Sequence, residues 1–104
     1  MDTAKVISIV PTNDAPLSSF MGLHKIANSG LPLIAVPTTA GTGSEATKVA
    51  VITDTINDVK MMMLSAPLQP HAAVIDFELT LTMPRPLTAA VGVDTFTHGL
   101  EAFV

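Results

Sequence analysis

The stretch that decides the fold runs from residue 31 to residue 45 and reads Leu-Pro-Leu-Ile-Ala-Val-Pro-Thr-Thr-Ala-Gly-Thr-Gly-Ser-Glu. Its first six residues form a short apolar run between Gly30 and Pro37, which is typical of a strand buried on both faces of a parallel sheet. The nine residues that follow are rich in glycine and hydroxyl groups. At the carboxyl end of a parallel strand, such a loop is where α/β folds bind ligands, because backbone N–H groups and hydroxyls converge there on phosphate or ribose oxygens.

The loop at 37–45 matches neither of the common phosphate-binding patterns. It lacks the Gly-Lys-Ser/Thr of a Walker loop and the G-x-G-x-x-G spacing of a standard Rossmann turn. On spacing alone, a solvated turn held by local Ser and Thr hydrogen bonds is therefore the simpler interpretation.

Upstream of this stretch, the sequence predicts two helices. Residues 2–10 carry apolar side chains at helical spacing and begin with Asp2, a good N-cap type. Residues 17–28 predict a second, weakly amphipathic helix, separated from the first by a cluster of turn residues at 11–16.

Downstream, the pattern alternates strands with a final helix. Residues 47–53 and 59–64 predict two antiparallel strands with a polar hairpin connection between them, and residues 71–77 predict another short buried strand. From 86 to 104 apolar residues recur at helical spacing after an initial proline, which predicts a long helix without a stop signal. Both ends of the chain look cut.

Composition excludes several classes of protein. The 104 residues are 48% apolar and 13% charged, with a net charge of −4. Five scattered basic residues do not make a nucleic-acid surface. The absence of cysteine excludes disulfides and thiolate sites. No apolar run is long enough to cross a membrane and no signal sequence is present, so we expect a soluble, cytoplasmic protein.

A second chemical feature lies on the last helix, where Asp94 and His98 are four residues apart. This spacing places a carboxylate and an imidazole on one face, where they can ligate one divalent ion or hydrogen-bond each other. For a helix taken alone the hydrogen bond is the favoured interpretation, since a catalytic metal needs at least three protein ligands. Neither His24 nor His71 can be added by spacing. Lys5 and Lys60 are candidate phosphate or ribose contacts, although most lysines are only solvated charges.

These two features, in this order and about 50 residues apart, resemble the iron-containing (group III) alcohol dehydrogenase family. The loop at 37–45 is similar to the family's cofactor loop, and residues 87–102 (Leu-Thr-Ala-Ala-Val-Gly-Val-Asp-Thr-Phe-Thr-His-Gly-Leu-Glu-Ala) are similar to its metal-binding helix. Residues 1–5 resemble the end of its Gly-Gly-Gly-Ser-x-x-Asp-x-x-Lys segment. The resemblance covers nearly the whole chain.

The resemblance implies the later part of a Rossmann-like nucleotide-binding domain at 1–83, followed at 84–104 by the first helix of an all-helical metal-binding domain. It implies hydride transfer between a small alcohol or aldehyde and NAD or NADP, with Fe²⁺ or Zn²⁺ as the metal and a homo-oligomeric full-length protein. It assigns no catalytic side chain in this segment. The implied cofactor contacts are Thr38, Thr39, Thr42, Thr47, Lys60 and Leu87, and the implied metal ligands are Asp94 and His98. Glu101 is a candidate to orient His98.

The departures from the family pattern leave other functions open. The pyrophosphate-binding glycine turn and two of the family's metal-binding histidines have no counterpart in these 104 residues, so we expect the isolated chain to be inactive. A non-catalytic chain that self-associates through its apolar surface is the alternative. Lyase chemistry on the same scaffold, as in a dehydroquinate synthase, is a third, which the loop and the Asp94 and His98 pair disfavour.

Overall fold

The computed structural model describes residues 1–104 as two helices and five strands joined by short turns. In chain order the elements are α1 (Asp2–Ile9), β1 (Gly22–Leu23), β2 (Ile34–Ala35), β3 (Val49–Asp54), β4 (Val59–Leu64), β5 (Ala72–Ala73) and α2 (Arg85–Phe103).

Helix α1 confirms the helix predicted over 2–10, but the role predicted for Asp2 is wrong. Met1 occupies the N-cap position and no side chain caps the helix. The Asp2 carboxylate instead accepts hydrogen bonds from Ser44 and Val51. These donors lie more than 40 residues away along the chain, so the tertiary structure overrides the local capping preference.

The hairpin of β3 and β4 confirms the predicted pair of antiparallel strands. Val49 lies opposite Leu64 and Asp54 lies opposite Val59, which fixes the register along the whole pair. The two-residue strand β1 adds to the other side of β4 in parallel, so the sheet order is β1-β4-β3.

The helix predicted over 17–28 is wrong. Only a 3-10 turn forms, at Leu17–Phe20, and the chain then enters β1. Gly22 and His24 have φ angles of 107° and 54°, in the left-handed region that a right-handed helix cannot contain. Pairing with β4 therefore prevails over a weak helical pattern.

Strands β2 and β5 form a separate two-stranded parallel sheet, with Ile34 beside Ala72 and Ala35 beside Ala73. The parallel pairing predicted for the 31–36 run is confirmed. The 31–36 run was predicted to be buried on both faces, and the 71–77 run was predicted to be a buried strand. Both predictions of burial are wrong, because Ile34 and Ile75 are 64% and 66% exposed. Each strand is two residues long and has a single neighbour, so most of this apolar surface stays uncovered.

The core lies between α1 and the inner face of the hairpin. Alternation along β4 buries Met61 and Met63 and leaves Met62 exposed, as the two-residue period of a strand requires. The residues of this core cluster share near-complete burial; they are Val6, Ile9, Phe20, Ile26, Ala50, Met61, Met63 and Leu68.

Helix α2 confirms the helix predicted over 86–104, with Pro86 in its first turn. Val91 is its only buried residue, so the helix lies mostly on the outside of the molecule. Neither helix of the chain combines the length and the apolar character that crossing a bilayer would require.

Candidate functional site

A cleft of about 710 Å³ opens between the first turn of α1 and the carboxyl end of β2. Residues 1–4 form one wall, and residues 33–37 form the floor. Four hydroxyl side chains of the following loop complete the lining: Thr38, Thr39, Thr42 and Ser44. A volume of this size lies within the range of small-molecule and cofactor sites, roughly 300–1,000 Å³.

The glycines allow the loop to turn back beside the cleft. Gly41 and Gly43 have φ angles of 134° and 65°, which residues with a Cβ rarely adopt. Gly43 then precedes a 3-10 turn at Ser44–Ala46, and the chain continues into β3.

Two side chains of α1 hold this loop and the strand after it. The Ser44 hydroxyl donates to Asp2 Oδ1 at 3.1 Å, and the Val51 N–H donates to Asp2 Oδ2 at 2.9 Å. Asp2 thus joins the loop to the edge of the hairpin.

Lys5 is completely buried and makes the second connection. Its Nζ donates to the Thr47 carbonyl at 2.9 Å, to the Thr47 hydroxyl at 3.0 Å and to the Val49 carbonyl at 2.8 Å. Burial lowers the pKa of Lys5 from its ordinary value, while the negative charges of Asp2 and Glu45 oppose that shift.

The structure separates the six residues assigned to the cofactor by resemblance. Thr38, Thr39 and Thr42 line the cleft together. Thr47 lies outside the lining and is engaged by Lys5. Lys60 is an exposed residue of β4, and Leu87 lies in the exposed first turns of α2.

Sequence patterns did not identify Asp2 and Ser44 as lining residues or Lys5 as a structural connection. The sequence indicated Asp2 as an N-cap and Lys5 as a candidate phosphate contact, and the family resemblance placed both at the end of the Gly-Gly-Gly-Ser-x-x-Asp-x-x-Lys segment without giving either a partner. Local spacing carries no sign of their partners, because those partners follow 42 to 49 residues later in the chain.

The second candidate site is the pair on α2. His98 Nε2 lies 3.6 Å from Asp94 Oδ2, and His98 Nδ1 lies 3.9 Å from Glu101 Oε2. Two ligand atoms that each lie about 2.1 Å from one ion can be at most about 4.2 Å apart, so the first pair fits as two ligands of a single metal. No group of three or more His, Asp or Glu residues converges anywhere in the chain. These 104 residues therefore offer two ligands and not a closed site.

The loop approaches α2 closely at Gly41. A Cβ built on Gly41 would lie 1.8 Å from Thr95 Oγ1 and 3.0 Å from Val91 Cγ1. The Thr95 hydroxyl is fixed by donating to the Val91 carbonyl at 2.8 Å. Since Thr95 directly follows Asp94, this contact links the cleft to the carboxylate and imidazole pair.

Fold and site together define a Rossmann-like α/β segment followed by a helix with a metal-compatible pair. The family model for iron-containing alcohol dehydrogenases matches residues 1–77. The chain therefore belongs to the iron-containing alcohol dehydrogenase family.

Known relatives extend the likeness beyond the residues matched by the family model. The NAD-dependent methanol dehydrogenase of Bacillus methanolicus is 41% identical over 103 residues, which are 99% of this chain and 27% of that protein. The alignment thus includes α2.

Solved structures agree with this assignment. A 1,3-propanediol oxidoreductase superimposes with a TM-score of 0.90 at 37% identity, over 95% of this chain and 26% of the other. A sulfoacetaldehyde reductase from Bifidobacterium kashiwanohense, solved in complex with NAD⁺, gives a TM-score of 0.77 at 35% identity, over 89% of this chain and 25% of that one. The chain thus spans about a quarter of the length of the proteins it matches.

Proposed function

We propose that this chain forms part of a metal-dependent alcohol dehydrogenase, in which residues 1–83 belong to the NAD(P)-binding domain and residues 84–104 begin the metal-binding domain. The observation that carries the proposal is the cleft at the carboxyl end of β2, lined by the loop hydroxyls and the first turn of α1. Ligands of α/β folds bind at this end of the strands.

The cleft fits one part of a dinucleotide. Thr38, Thr39 and Thr42 supply hydroxyl groups that can donate to phosphate or ribose oxygens. The one carboxylate in the lining, Asp2, already accepts from two donors and lies on the same helix as the Lys5 ammonium. Thr47, Lys60 and Leu87 are proposed as further contacts to the same cofactor.

Asp94 and His98 would hold Fe²⁺ or Zn²⁺, together with ligands from the rest of the enzyme. A mixed carboxylate and imidazole set suits either ion. Such an ion supplies Lewis acidity toward the oxygen of a small alcohol or aldehyde substrate. The contribution of this chain is to place the pair on a helix that contacts the cofactor loop through Thr95.

The cofactor part of the proposal is tested by titrating the full chain with NAD⁺ and with NADP⁺ while recording amide resonances. We expect shifts at residues 38–44, and Thr42→Val should weaken binding by about tenfold if its hydroxyl bonds the ligand. Thr53→Val is the matched control, because Thr53 is an exposed β3 residue outside the cleft. Shifts confined to other regions, or an equal effect of both variants, would contradict the proposal.

The isolated chain should not oxidise alcohols. Two metal ligands do not build a catalytic site, which needs three protein ligands and an open position. We expect no NADH or NADPH formation when the chain is supplied with Fe²⁺ or Zn²⁺, NAD(P)⁺ and a short primary alcohol. Alcohol-dependent turnover by the purified chain would overturn this expectation.

A second candidate function, self-association of this chain, is favoured by its exposed apolar side chains. Phe96 and Phe103 of α2 are 71% and 88% exposed, and Ile34 and Phe77 beside the small sheet are 64% and 70% exposed. Gel filtration combined with metal analysis distinguishes the candidates. Binding of one equivalent of Fe²⁺ or Zn²⁺ per chain supports the enzyme segment, whereas a metal-free oligomer supports the interaction element.

A further inference from the structure

Asp2 accepts two hydrogen bonds and Lys5 donates three, and all five have their partners within residues 44–51. Asp2 binds the loop at Ser44 and the strand at Val51, while Lys5 binds the backbone between them at Thr47 and Val49. Both side chains leave the first turns of α1, and the same first turn forms the opposite wall of the cleft. One short helix therefore builds one wall and fixes the other.

We infer that Asp2 and Lys5 are positioning residues that set the width of the nucleotide cleft before any ligand arrives. We call the two side chains and their five bonds the α1 clamp. The inference rests on the proposed cofactor role of the cleft and extends it to two residues that need not contact the ligand. When the loop is already ordered in the free protein, binding does not incur the entropy cost of ordering it, and the affinity for the ligand is higher.

Burial and charge support a positioning role over direct contact with an anion. The Lys5 side chain has no solvent-exposed surface, and its three donors are aimed at Thr47 and Val49 rather than into the cleft. The Asp2 carboxylate is negative and would repel a phosphate if electrostatics were its main effect on the cleft. Any favourable effect of Asp2 on nucleotide binding must then come from the position of the loop. The two effects can be separated because they change the nucleotide affinity in opposite directions when the charge is removed.

The Asp2→Asn variant separates the two effects. The amide keeps the size of the side chain but replaces one acceptor oxygen by an NH2 donor, so the bonds from Ser44 and Val51 cannot both be kept in their present form. Both contacts also lose the negative charge that strengthens them. Electrostatics alone predicts tighter nucleotide binding, because a negative charge beside the cleft is removed. The clamp predicts binding weaker by about fivefold to twentyfold, because the loop loses preorganisation.

The experiment compares wild type, Asp2→Asn, Ser44→Ala and the double variant by NAD⁺ titration and by amide hydrogen exchange. The clamp predicts faster exchange at residues 42–44 in each single variant and at Val51 in Asp2→Asn alone, with β4 amides unchanged. It also predicts that the double variant is no worse than the more affected single one, since both remove the same contact. Asp14→Asn, at an exposed turn, is the matched control and should behave as wild type.

Each remaining outcome overturns one idea. Unchanged or tighter NAD⁺ binding by Asp2→Asn overturns the clamp, as does exchange that is unaltered in the loop or raised uniformly across β3 and β4. If wild type binds no NAD⁺, the proposed cofactor role fails, and the exchange data still decide whether Asp2 and Ser44 order the loop.

Discussion

At the scale of single residues, Lys5 shows how a charged side chain becomes part of a core. Its aliphatic stem is buried beside Val6 and Ile9, and its ammonium finds three oxygen acceptors at the edge of the hairpin. A buried ammonium without such partners would be strongly unfavourable. Burial lowers the pKa of Lys5, and the negative charges of Asp2 and Glu45 offset only part of that shift.

Replacing Lys5 by methionine should destabilise the chain by about 1–3 kcal/mol, because two carbonyl groups and a hydroxyl lose their donor. The folded pKa lies below the ordinary 10.5, so the unfolded state binds more protons as pH rises toward that value. The wild type therefore gains stability in this window, and the deficit of Lys5→Met should grow from neutral pH toward pH 10.5.

The measurement is urea unfolding at several pH values from 7 to 10. Lys25→Met is the control, because Lys25 is exposed and its substitution should change stability little at any pH. A deficit that is constant with pH would show that the folded and unfolded pKa values of Lys5 are the same.

At the scale of elements, the register of the β3 and β4 hairpin is fixed by which side chains of β4 are buried. Three consecutive methionines, Met61 to Met63, alternate between core and solvent. A one-residue slip of register would move Met62 into the core and expose both neighbours. The fixed pairing from Val49 opposite Leu64 to Asp54 opposite Val59 excludes this.

We expect Met63→Ala to cost about 2–5 kcal/mol, since its side chain is fully buried within the core cluster. Met62→Ala removes the same atoms from a side chain that is 49% exposed and should cost under about 1 kcal/mol. Chemical denaturation of the two variants provides the comparison. Equal losses of stability would contradict the assignment of Met63 to the buried face of β4 and Met62 to the exposed face.

The junction between the loop and α2 gives a second element-scale prediction. Gly41→Ala adds a Cβ 1.8 Å from Thr95 Oγ1 and also strains a φ of 134°, so either the loop or α2 must move. We expect a loss of about 2 kcal/mol or more and shifted amide resonances at 91–98. Gly43→Ala is the matched control, with φ at 65° but no atom within 4 Å of the added Cβ. It should cost about 1 kcal/mol and leave the resonances of α2 in place.

At the scale of the whole molecule, the chain exposes more surface than a compact monomer of its size. Its accessible area is 7102 Å², against roughly 5,500 Å² expected from size scaling for this mass. Its radius of gyration is 14.8 Å, against about 13 Å for a compact chain of this length. Only 15 of 104 residues are buried, so a single small core carries the stability.

This surface predicts concentration-dependent association of the purified chain. Sedimentation velocity over a hundredfold dilution should show a rise in mean mass with concentration, because burying apolar surface is favourable by about 25 cal/mol per Å². Adding charge to α2 through Phe96→Glu should reduce the association, while Thr97→Glu, at an exposed polar neighbour, is the control. A monomer of unchanged mass at every concentration would contradict the prediction.

Elements with strong local signals could be predicted from the sequence alone. The first helix, the hairpin and α2 follow from apolar periodicity and turn chemistry, and the loop at 37–45 follows from glycines and hydroxyls after an apolar run. The resemblance carried by these local motifs indicated the iron-containing alcohol dehydrogenase family, whose family model matches residues 1–77. Asp94 and His98 as neighbours on α2 also follow from helical spacing alone.

Only the tertiary structure decided what the polar residues of α1 do and what became of the weak elements. The 17–28 segment gave way to pairing with β4, because a marginal helical pattern is worth less than hydrogen bonds to an existing strand. Asp2 and Lys5 found partners more than 40 residues away, which no local pattern encodes. Those long-range bonds hold the loop against α1. Thr38, Thr39 and Thr42 were therefore predicted as site residues from the sequence, whereas the shape of the cleft and the places of Asp2 and Ser44 in its lining were not.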